Sequence, residues 1–299
     1  MNQEIVVPAA ESAKKLENFL KARFPIGYVR KLFRKNGLRV NGQRSRPKDP
    51  VRAGDRIQLY IPFEKTTKHS ATPPPVQSHF RLIFEDETLL VINKPAGIAV
   101  HEGKQVLRRH SVIGLLKNQY REQGVLPKLV HRLDKDTSGV LVIAKDEQTG
   151  AQLEAIFAEE KNIDKEYVGL LAGRLQDDHG TIDFPLPGRE GKPVRALTRF
   201  QVLDRFPETT LVRVNIETGR MHQIRLHFAE FGYPVVLDDQ HGDFKFNRQF
   251  RKIYGLRRQF LHACRLGLDY GGKKRVWTAP LPKDLQNVLD AIRAAEKHR

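Results

Sequence analysis

The sequence predicts an α+β protein in two unequal units joined by a proline-rich linker. Three observations lead there. Residues 1–63 hold two short helical patterns followed by short strands and turns. Residues 64–78, EKTTKHSATPPPVQS, are polar with three successive prolines, the composition of a semi-rigid linker. From residue 79 to residue 299, short apolar or alternating runs recur between turn residues and a few segments of helical spacing.

In the first unit Leu16, Phe19, Leu20 and Phe24 share a helical face, and Pro25 and Gly27 break that helix. Tyr28 to Lys35 reads as a second helix, with Val29, Leu32 and Phe33 inward and Arg30, Lys31, Arg34 and Lys35 outward. Leu38 to Val40 and Arg56 to Ile61 read as strands, with turns at Asn41-Gly42 and Ala53-Gly54-Asp55. In the larger unit, strands are predicted over 80–84, 89–92, 140–143, 164–171, 196–204 and 210–216. Helices are predicted over 110–121 and 148–160, through Ile224, Phe228 and Phe231 until Gly232 and Pro234 close the turn, and over 284–297.

The formal net charge of +17 on 299 residues points to a polyanionic partner, above all nucleic acid. Residues 1–63 carry fourteen Lys and Arg against five Asp and Glu, so a fifth of the chain supplies over half of the excess. A charge run is usually a solvated face. Its concentration on one short module argues instead for a surface that tracks a nucleic-acid backbone, with Arg30, Arg34, Lys35 and Arg39 as contact candidates. No apolar stretch approaches the roughly 18 residues of a membrane span, and the N-terminus lacks a secretory pattern. The single Cys264 cannot form an internal disulfide and reads as a small core residue. Together these features suit the cytoplasm.

Chemistry concentrates at residues 129–145, LVHRLDKDTSGVLVIAK. Val140 to Ile143 read as a buried strand, preceded by the polar turn Asp134 to Gly139. Taken alone, that turn is an ordinary loop with a capping Asp. A calcium loop is excluded, because its twelfth position, which requires a carboxylate, is Lys145. A carboxylate between cations and an apolar strand is a candidate nucleophile or base, which singles out Asp134. His222 and His227 are five apart, without Cys or an H-E-x-x-H pattern, so no metal is expected.

The string HRLDKDTSGVLVIAK resembles the active-site motif of the RluA-type pseudouridine synthases. EDETLLVINKPAGIAVH at 85–101, the K-x-Y segment at Lys165 to Tyr167, and GRMHQIRLH at 219–227 are similar to further motifs of that family. Residues 1–63, with RVNGQRSRPKDPVRAGDRIQL, resemble the S4 RNA-binding module. The resemblance spans nearly the whole chain and is nearest the RluC-like branch that acts on large-subunit ribosomal RNA. It implies a mixed, mainly antiparallel sheet in the larger unit, with Phe260 to Ala263 and Ala279 to Pro282 as closing strands. It implies conversion of uridine to pseudouridine without cofactor. It further implies catalytic roles for Asp134, Tyr167 and Arg225, with Arg225 paired to Asp134. His131, Arg132, Thr137, Gly219, Arg220, His222 and Gln223 would bind substrate, and Lys94 and His101 could line the RNA cleft. Arg132 would occupy the place of the displaced base. The implied partner is large-subunit rRNA, with pre-ribosomal particles, for a monomer off the membrane. Met221 and His241 depart from the family's usual Thr and Tyr. The main alternative class is a non-catalytic RNA-binding or ribosome-assembly protein. An RNA methyltransferase is disfavoured, since no glycine-rich nucleotide-binding loop follows a strand.

Overall fold

The computed structural model describes residues 3–24, 26–61, 80–102, 110–160, 162–188 and 191–297. The linker expected at 64–78 lies outside the described residues, as does the side chain of Arg30. Contacts divide the chain into two compact units, Met1–Pro74 and Pro75–Arg299.

The first unit contains β1 (Gln3–Val6), α1 (Leu16–Lys21), α2 (Ile26–Arg34), β2 (Leu38–Val40) and β3 (Arg56–Leu59), with the strands antiparallel in the order β1-β3-β2. Leu16, Phe19 and Leu20 of α1 and Val29 and Leu32 of α2 bury their apolar face against Ile57 and Leu59. Two turns are tied together by one side chain. Asn41 donates to Asp55 Oδ1 at 2.8 Å and accepts from the Arg56 N–H at 2.8 Å. That bond explains why the Asn41-Gly42 and Gly54-Asp55 turns occur as a pair. Arg34, Lys35 and Arg39 are exposed, with the Arg39 guanidinium 5.3 Å from the centre of the Tyr60 ring.

The second unit follows the order β4 (Arg81–Glu85), β5 (Leu89–Lys94), α3 (Val112–Gln119), β6 (Lys128–Leu129), β7 (Ser138–Ala144), α4 (Glu147–Glu159), β8 (Ile163–Ala172) and β9 (His179–Ile182). The small hairpin β10 (Leu186–Pro187) and β11 (Pro193–Val194) comes next, then β12 (Thr198–Arg205), β13 (Thr209–Ile216), α5 (Gln223–Glu230), α6 (Phe244–Tyr254), β14 (Leu261–Tyr270), β15 (Lys273–Thr278) and α7 (Lys283–Lys297). Ten strands form one sheet in the order β4-β5-β7-β14-β8-β13-β12-β9, with β15 on β14 and β6 on β7. The β7–β14 pairing is parallel and the others are antiparallel, as the mixed α+β expectation required.

All of β7 is buried, and its alternate residues enter two cores. Val140 and Val142 pack with Leu153 of α4, while Leu141 and Ile143 pack with Val112 and Leu116 of α3. A strand covered on both faces reads as a continuous apolar run. Gly139 is where β7 meets β14, in register with Ala263. Its φ is +125°, and an added Cβ would stand 2.1 Å from the Ala263 carbonyl oxygen. Only glycine permits that approach, and it fixes where the preceding turn emerges from the sheet.

Two expectations fail locally, and one helix was not foreseen. Ala279 to Pro282 is not a strand; β15 ends at Thr278, and two prolines that cannot donate to a ladder lead into α7. Cys264 is half-buried rather than core, because the β14 register shifts between Ala263 and Arg265 and turns it towards Glu166. Helix α6 escaped the sequence reading, although Asp243 caps the Lys245 and Phe246 N–H groups and Gly255 closes the helix.

Candidate active site

Asp134 lies in the turn between buried Leu133 and β7. The Thr137 N–H donates to the Asp134 carbonyl at 3.2 Å, and the buried Thr137 hydroxyl accepts from Gln259 Nε2 at 2.6 Å. Ser138 Oγ bonds His262 Nδ1 at 2.9 Å. Beneath the turn lies Lys94, with no exposed surface, donating to the carbonyls of Pro95 (2.9 Å), Ile98 (2.9 Å) and Lys135 (3.0 Å). Burial draws the Lys94 ammonium down to about 7, against the nearby charge of Asp136. Lys94 therefore anchors the turn from below and does not line the cleft. His101 is exposed against the Glu102 carbonyl, away from the cleft walls.

Arg225 comes from α5, ninety-one residues later in the chain, and is buried. Its Nη1 donates to Asp134 Oδ2 at 3.1 Å. The two-pronged contact goes elsewhere: Nε donates to Asp238 Oδ2 at 2.6 Å and Nη2 to Asp238 Oδ1 at 2.8 Å. Asp238 is fully buried and also accepts from the backbone N–H groups of Gln240 and His241, both at 2.9 Å. Burial pushes the Asp238 carboxyl up, but Arg225 and the two N–H groups outweigh it and hold it below the usual carboxylate value. Asp238 is thus the fork's anchor; Nη2 also reaches Gln240 Oε1 at 3.3 Å, and Asp134 is met by Nη1 alone. Asp134 Oδ1 is left with His222 Nε2 at 3.8 Å.

A cleft of about 460 Å³, within the range of small-ligand sites, opens at Asp134 and brings most of the expected residues together. Tyr167, on β8, lines it. The Tyr167 hydroxyl has no hydrogen-bond partner among the described residues, and burial, then the Asp134 charge, drives its ionisation upward. Arg132 is exposed at the cleft without an ion pair among the described residues. Gly219 and Arg220 are held by Glu160, at 3.2 Å from the Gly219 N–H and 3.1 Å from Arg220 Nη2. His222 caps α5 in the left-handed region, φ 54°, with Nδ1 3.2 Å from His241 Nε2.

Three expected substrate contacts have structural occupations. His131 is driven down to about 3 by burial, so its ring is neutral. Its Nε2 accepts the Val142 N–H at 2.9 Å beyond the end of β6, and the ring stacks on Phe157 at 4.7 Å. Gln223 spends its amide on Leu197 O and Thr198 Oγ1, and its oxygen on Thr218 Oγ1 and the Arg220 N–H. Thr137 is satisfied by Gln259, as above. All three side chains help hold the cleft's walls, and Gln223 has no hydrogen-bonding group left over.

A family model for RNA pseudouridylate synthase matches residues 88–230. Ribosomal large subunit pseudouridine synthase C of Salmonella typhi is 34% identical over 313 residues, covering 97% of this chain and 96% of that protein. Its namesake in Escherichia coli (strain K12) is 34% identical over 314 residues, covering 97% of each. The chain belongs to the RNA pseudouridylate synthase family. Among solved structures, human RNA Pseudouridylate Synthase Domain Containing 4 is 26% identical with a TM-score of 0.61, covering 71% of this chain and 93% of that one.

In this RNA pseudouridine synthase, Asp134 is a carboxylate on the wall of the cleft. Asp238 and Lys94, which hold Asp134 through Arg225 and through the turn, were not assigned those tasks from sequence. The only available signals were an Asp in PVVLDDQHGD and a Lys ending an apolar strand. No group of three or more His, Cys, Asp and Glu among the described residues is arranged around a metal position. No described helix is long and apolar enough to cross a membrane.

Proposed function

We propose that this enzyme converts specific uridines of large-subunit ribosomal RNA to pseudouridine in the cytoplasm, with Asp134 as the catalytic carboxylate. The supporting observation is the arrangement of Asp134 itself. One carboxylate oxygen is fixed by a buried arginine, while the other faces the cleft without a close donor. Relatives named for the ribosomal large subunit support the choice of RNA. The target base must leave its stack to reach the cleft, and the unpaired Arg132 is positioned to fill the space it vacates. Asp134 Oδ1 is the atom offered to the nucleotide as its bond from ribose to N1 breaks. Tyr167 packs on the base as a neutral phenol. The first unit, S4-like in its two helices and paired turns, supplies backbone affinity through Arg34, Lys35 and Arg39, with Arg30 in the same helix.

The test is tritium release from RNA labelled at uridine C5, with mapping of the product. Purified enzyme should release tritium from large-subunit rRNA in proportion to the pseudouridine formed, and little from tRNA or small-subunit rRNA. Preferential release from tRNA would overturn the substrate assignment.

A further inference from the structure

Lys165 and Tyr167 stand on the same face of β8, two residues or about 6.6 Å apart along the strand, and both line the cleft. Lys165 is only 8% exposed. Cations so deeply placed are normally paired, and Lys94 in the same unit meets three carbonyls. Lys165 does not. Its Nζ has one acceptor among the described residues, the Glu217 carbonyl at a long 3.4 Å, and makes no ion pair. The neighbouring carboxylate, Glu160, is occupied by the Gly219 N–H and Arg220 Nη2. Past Glu217 the loop passes the ammonium as glycine, and a Cβ added to Gly219 would stand 3.8 Å from Nζ. Burial accordingly pulls the Lys165 ammonium below its ordinary value. An ammonium with unused donors is therefore held in the cleft, one strand pleat from Tyr167.

We propose that Lys165 is a further catalytic residue: its ammonium donates a hydrogen bond to a carbonyl oxygen of the displaced uracil and stabilises the charge the base acquires when it leaves the ribose. This rests on the reading that the cleft takes uridine. When the bond between C1′ and N1 breaks, its electron pair leaves with N1 and spreads onto O2 and O4. A charge-assisted hydrogen bond there strengthens as that charge develops. The ammonium keeps its protons throughout. The electron pair returns as C5 bonds to C1′, C5 then loses its proton, N1 takes one up, and the product is an isomer of the substrate. A planar base edge fits against the wall of a strand. A phosphodiester brings two sugars with it and suits the mouth, where Arg132 is exposed.

The experiment compares full-length wild type with Lys165→Met and Lys165→Arg in single turnover. The RNA is a ribosomal fragment in which wild type has been shown to form pseudouridine, so a failed substrate assignment is recognised before the variants are compared. Its target carries uridine, 2-thiouridine or 4-thiouridine, because sulfur is the poorer acceptor. Lys165→Met should slow the saturated rate by about 10- to 100-fold, the worth of one hydrogen bond to a charged group, with RNA affinity within about twofold of wild type. Lys165→Arg should recover part of the rate. One of the two thio substitutions should slow wild type but have little effect on Lys165→Met. An unchanged rate in the variant, or equal thio effects in both proteins, would overturn the proposal. So would weakened affinity with an unchanged saturated rate and a salt slope reduced by about 0.7–0.9, the signature of a phosphate contact. If Lys165→Met does not fold, the thio series on wild type decides: no slowing at either position overturns the proposal.

Discussion

Asp238→Asn changes one buried atom and almost no volume, and it addresses how Asp134 is aimed. The carboxylate accepts four hydrogen bonds, from Arg225 Nε and Nη2 and from the Gln240 and His241 N–H groups. An amide has one acceptor oxygen, so its NH₂ must face at least one N–H donor, and Arg225 loses one of the two carboxylates it bonds. Breaking a buried ion pair from one side costs about 3–5 kcal/mol. At about 2–4 °C per kcal/mol for a unit of this size, the melting temperature should fall by about 6–20 °C. The guanidinium stays charged but is no longer held against Asp134 Oδ2, and a misplacement near 1 Å costs about 10²-fold in rate. The pH dependence has a definite sign. Asp238 is held below its ordinary value of 3.8, so its contribution is complete above that pH and is lost as pH falls through the lower folded value. The stability gap between wild type and variant should stay constant from neutral pH down to about pH 5 and close in stronger acid. Thermal melts and single-turnover tritium release measure both effects. A variant melting within about 2 °C of wild type at neutral pH, with full rate, would refute the reasoning.

Three other outcomes are expected. Gly139→Ala should cost more than about 4 kcal/mol in urea denaturation, because the new methyl overlaps the Ala263 carbonyl; a cost below about 1 kcal/mol would mean that β7 and β14 can part freely. Burial and the Asp134 charge raise Tyr167 above its ordinary value of 10.0, so wild type and Tyr167→Phe should show parallel rate profiles from pH 6 to 10. An ionisation limb present only in wild type would contradict this. Replacing Arg34, Lys35 and Arg39 with Gln in the full-length chain should reduce the slope of log affinity against log salt by about 0.7–0.9 per lost phosphate contact, whereas an unchanged slope would show that this face does not meet RNA.

Local physics made much of the molecule legible in advance. Val140 to Ile143 could be read as a buried strand because both faces of β7 are covered. Leu16, Phe19 and Leu20 gave α1 because helical spacing records a one-sided core. The Asp134–Arg225 pairing came from family resemblance, since nothing in the spacing of two residues ninety-one apart announces it. What was missed depends on contacts that no local pattern encodes. Asp238 sits in an ordinary Asp-Asp turn and acquires its importance only when α5 brings Arg225 over it. Lys94 ends an apolar strand and appeared free to face the cleft, yet the turn at Lys135 folds over its ammonium. His131 and Gln223 belong to binding-type motifs, but β7 needs a partner beyond the end of β6, and the loop before α5 needs a tie to β12. Each side chain meets a backbone demand visible only in three dimensions.

The central claim is that the Asp134 carboxylate, rather than the fold around it, carries the isomerisation. Asp134→Asn preserves volume and loses only the charge that meets Arg225 Nη1. Measured on large-subunit rRNA under single-turnover conditions, its rate should fall by at least about 10³-fold, while RNA affinity stays equal to wild type or rises slightly as a negative charge near phosphates is removed. Tritium release within about tenfold of wild type by the purified, folded variant would contradict the account.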